Sequence, residues 1–167
     1  MTLSQVTYSD AINSESIVSA SRKGEDTLTP EERHQCSSRL GGLNFVATQT
    51  RPDIAVDCSF ASSLLGREGT AATAKRIAGI VKEVQRHKVV LTLQALPLKD
   101  LTMDLFACHD AAYGCHLDGG SQGGVAIVAA AAGHVTQDAL EDGTAKSVAI
   151  GLLYWRSNRV RRICRSS

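Results

Sequence analysis

The spacing of apolar side chains changes near residue 88, and that change divides the chain into a helical part and a strand part. Before it, Cys36, Leu40, Leu43 and Ala47, then Ile54, Cys58, Ala61 and Leu65, then Ile77, Ile80, Val81 and Val84 recur at helical intervals, each set tracing one face of a 3.6-residue repeat. After it, β-branched and apolar residues come in short runs. Leu101, Met103, Leu105 and Ala107 alternate with Thr102, Asp104, Phe106 and Cys108, the period of a strand that turns one apolar face to a core. Helices followed by a small antiparallel meander predict the α+β class.

Local signals set the boundaries. Thr29-Pro30-Glu31-Glu32 offers a hydroxyl N-cap, a proline at the first helical position and a carboxylate at the third, a reciprocal capping arrangement. Arg51-Pro52 interrupts that helix, because proline pushes the residue before it out of helical geometry. A second helix is expected from about Asp53 to Gly66, and a third from Thr70 to His87. Val89–Leu93, Leu101–Cys108, Val125–Val128 and Val148–Trp155 are the expected strands, and Gly119–Gly124 reads as a turn. The run Ala129–Ala132 favours helix by intrinsic propensity but is read as strand. The resulting division is 1–29, an exposed connector rich in Ser, Asp, Glu and Lys; 30–88, helical; and 89–167, strands.

Hydrophobic residues at 43% and charged residues at 21% lie in the globular range, so a wholly disordered chain is excluded. No apolar run is long enough to span a bilayer, the first residues do not read as a secretion signal, and five scattered cysteines suit a reducing interior. These features give an expected location in cytosol or nucleus, with no membrane partner. The net charge of +1 hides an asymmetry: residues 101–150 hold six carboxylates against Lys146, whereas residues 151–167 hold five arginines and no acid. Arg156, Arg159, Arg161 and Arg162, beside the flat indole of Trp155, are candidate phosphate contacts; solvated strand ends have a similar composition.

Asp110 is the candidate metal ligand, at the end of an apolar strand and followed by Ala111-Ala112-Tyr113-Gly114. Two-metal phosphoryl chemistry needs several carboxylates around ions roughly 3.5–4 Å apart. Asp104 shares its nominal face but lies about 20 Å away along a strand, and Asp118 falls in a turn, so a structural or solvated role for Asp110 competes with a catalytic one. Cys108-His109 and Cys115-His116 could supply zinc ligands, but alternation sends Cys108 and His109 to opposite faces, which favours core thiols and surface imidazoles. The glycines at 119–124 lack the lysine and following helix of a phosphate loop.

The string Gly42-Leu43-Asn44-Phe45-Val46-Ala47-Thr48-Gln49-Thr50-Arg51-Pro52-Asp53-Ile54 resembles the segment that follows the polymerase palm in copia-type retrotransposon polyproteins. Further matches follow the same order: Leu3-Ser4-Gln5 with Tyr8, Leu28–Glu32, His109–Gly114, Gly120–Gly124, and Trp155-Arg156-Ser157 with Arg159-Val160. The resemblance implies the helical end of a reverse transcriptase (thumb or connection-like), followed by a partial, three-stranded, ribonuclease H-like sheet. It implies that Asp110 matches the first metal-binding carboxylate of the ribonuclease H module, with magnesium as the cofactor of the parent enzyme and an RNA–DNA hybrid, along with the rest of the polyprotein, as partner. The family's next ligands, a glutamate on the helix after the third strand and aspartates beyond it, are expected where this sequence reaches Ser167. Ala112 departs from the family's usual serine, and residues 133–146 make a long link between strands. The expectation is therefore weak nucleic-acid binding, no tightly bound magnesium and no activity for this chain alone; a non-catalytic binding or protein-interaction module is the alternative. For Thr50-Arg51-Pro52-Asp53, fixing a helix–helix turn is favoured over touching nucleic acid.

Overall fold

A computed structural model describes residues 1–93, 95–96, 102–116, 118–133 and 150–160. The architecture is mixed α+β: four helices and a three-stranded antiparallel sheet, with a separate two-stranded ribbon. Among the described residues no helix is long and apolar enough to cross a membrane.

The helical layer follows the sequence closely. Helix α1 (Val6–Ala11) is short; α2 (Pro30–Gln49) starts with Thr29 Oγ1 accepting from the Glu32 amide while Glu32 Oε2 accepts from the Thr29 amide, so two amide donors of the first turn are satisfied. A 3-10 turn (Pro52–Ile54) leads into α3 (Ala55–Arg67), and α4 (Ala71–Arg86) completes the layer. Helix α3 runs through Gly66 and ends near Gly69, whose positive φ of 51° suits a residue without a Cβ. The predicted apolar stripes of the three long helices are all buried and meet in one core.

Arg51 holds the joint between these helices. The residue is only 4% exposed; Nε and Nη2 grip the Asp53 carboxylate, and Nη1 donates to the carbonyl of His87 at 2.7 Å, beyond the last turn of α4. A cation at a helix C-terminus also opposes the partial negative charge there.

Residues 1–29 differ from the expected connector. Most of 9–29 is exposed, but Val18 and Leu28 enter the core, and Thr27 bridges to Thr70 while Leu28 N donates to the Gly69 carbonyl. Strand β1 (Thr2–Leu3) pairs antiparallel with β2 (Leu91–Thr92), so the Val89–Leu93 candidate shrinks to two residues and stands outside the main sheet.

The main sheet runs β3 (Met103–Ala112), β4 (Ser121–Ala131), β5 (Ile150–Val160) in that spatial order. Pairing on both sides overrides the helical propensity of Ala129 and Ala130, which stay in strand with Ala131, whereas Ala132, also expected in strand, lies in the turn beyond it. Only Gly119 and Gly120 of the expected glycine turn lie in it; Gly123 and Gly124 belong to β4, opposite Ala111 and Asp110. One further expectation is reversed. Met103 and Leu105 are 49% and 63% exposed, whereas Asp104 and Phe106 on the other face are half-buried. The covered face carries Phe106, Val128 and Trp155, and it is covered because α2 and α3 cross that side, where Trp155 and Gln122 meet them.

Candidate nucleic-acid interface

The register decides which side chains can act together. On the helix-facing side of the sheet three rows cross the strands: Cys108, Ala126 and Trp155; Asp110, Gly124 and Ser157; and Ala112, Gln122 and Arg159.

Asp110 is exposed in β3, and its Oδ1 accepts from the Ala111 amide at 2.7 Å. Its row neighbours are Gly124, with no side chain, and Ser157, about 10 Å away across two strand spacings. Asp104 is tied to the Gly133 amide, Asp53 to Arg51, and Asp118 to two arginines. Among the described residues no group of three or more His, Cys, Asp or Glu side chains is placed to hold a metal ion. A magnesium pair needs several converging anionic oxygens, and the described residues do not fit one.

Asp118 proves to be a fixed strut. It pairs with Arg67 of α3 at 2.6 Å and with Arg159 of β5, and the Arg159 hydrogen bond is the chief reason its carboxyl titrates below the usual range. Arg159 also donates from Nη1 to Ser63 Oγ of α3 at 3.0 Å. Of the four candidate arginines, Arg159 is thus anchored, and Arg156 is exposed with no ion pair or hydrogen bond to a described residue. Arg161 and Arg162 lie outside the described residues, as do His134, Lys146 and most of the 133–146 link.

The zinc candidates are not as the sequence suggested. Cys108 and Cys115 are exposed rather than core thiols, and His116 is 8% exposed rather than a surface imidazole. His116 stacks on Phe60 of α3 with ring centroids 4.3 Å apart, and its Nε2 meets Gln122 Oε1 at 3.1 Å. Gln122 Nε2 spends both protons on Ser59 Oγ and Ser157 Oγ, at 2.9 and 2.7 Å. Its carbonyl oxygen must therefore accept, which puts the proton on His116 Nε2.

Between α2, α3 and β5 lies an open cleft of about 780 Å³, lined by Ser59, Ser63, Trp155, Arg156, Ser157 and Arg159 among others. Trp155 fixes its floor by donating from Nε1 to the Ala47 carbonyl at 2.6 Å. Sequence reasoning found Trp155 and the arginines but missed Gln122 and the serines. Ser59 and Ser63, one helical turn apart, were a legible polar stripe; Gln122, between Ser121 and Gly123, gave no local signal.

Compared with known proteins, the chain matches no family model, and no curated protein or solved structure matches it significantly.

Proposed function

We propose that this chain is a segment of a copia-type retrotransposon polyprotein, the end of a reverse transcriptase joined to the start of a ribonuclease H-like domain, and that by itself it binds nucleic acid without cutting it. The observation that carries the reading is the position of Asp110 near the end of the first long strand of an antiparallel β3-β4-β5 meander that follows a helical layer, the place the sequence resemblance implies for the first carboxylate of the module. Lack of cleavage follows from electrostatics. Among the described residues Asp110 stands as a lone carboxylate and supplies one anionic ligand, whereas a pair of divalent ions needs a shared cluster, so magnesium chemistry is assigned to the larger polyprotein. Binding is assigned to the arginine-bearing β5, where Arg156 offers a guanidinium to a phosphate backbone.

A labelled RNA–DNA hybrid in magnesium buffer tests this. Expected are salt-sensitive retention of the hybrid and no shortening of its RNA strand. Cleavage by the wild-type chain that Asp110→Asn abolishes would overturn the non-catalytic part, and undetectable or salt-insensitive binding would overturn the rest.

A protein-interaction role is the second reading. It is favoured by β3 standing at one end of the described sheet with Met103 and Leu105 exposed, since sheet edges pair readily with other chains. Sedimentation independent of concentration counts against it.

A further inference from the structure

The cleft between α2, α3 and β5 is polar, and its hydrogen-bonding capacity is one-sided. Ser59 Oγ and Ser157 Oγ each accept from Gln122 Nε2, and Ser63 Oγ accepts from Arg159 Nη1. None of the three hydroxyls donates to a described residue, so each retains a free O–H proton. Their oxygens are polarised by the amide and guanidinium donors behind them, which strengthens the outgoing bond. Three such donors on facing walls of one cleft complement a ligand that only accepts, which is the character of a phosphate oxygen. Charge agrees with this. Around Asp118 two guanidinium groups, Arg67 and Arg159, face one carboxylate, and Arg156, a lining residue whose side chain alternation turns to the other face of β5, adds a nearby positive charge without a described counterion. The volume, about 780 Å³, lies in the range of pockets that take a small ligand such as one phosphodiester unit.

We propose that this cleft is a phosphate-binding site for one phosphodiester of a single-stranded nucleic acid, with Ser59, Ser63 and Ser157 donating to the phosphate oxygens, Arg159 supplying the charge inside the cleft and Arg156 adding attraction from the outer face of β5. The site rests on the nucleic-acid reading above only for the source of the phosphate; the donor array itself stands on the geometry. Trp155, the single tryptophan of the chain, lines the cleft with its N–H already committed to Ala47. Its indole ring reports occupancy without an added label.

The test uses the full chain, short oligo-deoxythymidylate and inorganic phosphate as separate probes, with Trp155 emission and the anisotropy of a labelled oligonucleotide read in parallel. Expected are a saturable emission change with the oligonucleotide and competition by inorganic phosphate. The double variant Ser59→Ala, Ser63→Ala should bind about tenfold more weakly at an unchanged salt slope. Arg156→Gln, an exposed change that leaves the described packing untouched, should lower the slope of log affinity against log salt by about 0.7. Oligonucleotide binding by anisotropy with no emission change and no effect of the serine changes would overturn the site while leaving the nucleic-acid reading standing. Loss of emission response only to inorganic phosphate in the serine variant, with no oligonucleotide binding, would overturn the polynucleotide source together with that reading.

Discussion

The indole of Trp155 in β5 reaches back 108 residues to donate to the carbonyl of Ala47 in the last turn of α2. The final carbonyls of a helix have no partner within it, so the sheet supplies a donor that the helix lacks. Replacing Trp155 by Phe keeps an aromatic ring in place but removes that donor together with part of the indole's packing. The expected cost is about 1–2 kcal/mol, read as a lower urea midpoint by far-ultraviolet circular dichroism.

Arg51 is a stronger test of the helical layer. Arg51→Ala strands the His87 carbonyl and frees Asp53, and the expected loss is about 2–4 kcal/mol in chemical denaturation. Because Asp53 is more than half exposed, most of that loss comes from the buried guanidinium–carbonyl bond rather than from the ion pair. Arg51→Lys recovers only part of it, since an ammonium cannot span both partners as the planar fork does.

The helical layer was legible because its signals are local. The capping residues Thr29 and Glu32 and the stripes around Leu43, Cys58 and Ile77 each fall within one or two turns of chain. The sheet was legible only as alternation. Period two divides β3 into two faces but does not say which one will be covered, and here the choice went to Phe106 rather than Leu105 because α2 and α3 cross above Trp155. The pairing of Thr2 with Thr92 joins two-residue strands far apart in the chain, too short to show a period. In the candidate interface, single arginines could be seen in the sequence, but the strut that ties Arg159 to Asp118 and Ser63 is a tertiary arrangement.

Acid should unfold the protein through three carboxylates. Glu32, held down chiefly by Arg22, Asp53 by Arg51 and Asp118 by Arg159, all titrate below their ordinary values. A folded pKa below the unfolded one contributes stability that is present above the unfolded pKa, and it is lost as pH falls through the folded pKa. The urea midpoint is therefore expected to hold near neutrality and drop below about pH 4.5. In Asp53→Asn that drop should be shallower.

Thiol chemistry separates the two layers. Cys36 and Cys58 are buried in the helical core, and burial pushes both thiols up, Cys58 to about 12. Cys108 and Cys115 are exposed. Native-state alkylation at neutral pH, mapped by peptide mass, should label Cys108 and Cys115 quickly and leave Cys36 and Cys58 unmodified until denaturant is added.

Calorimetric titration of the full chain with magnesium bears most closely on the non-catalytic reading, because it asks whether Asp110 finds other anionic ligands in solution. With no second described carboxylate placed beside Asp110, only weak, non-saturating heats at millimolar ion are expected, identical in Asp110→Asn. A saturable isotherm for a pair of ions, abolished by that substitution, would contradict it.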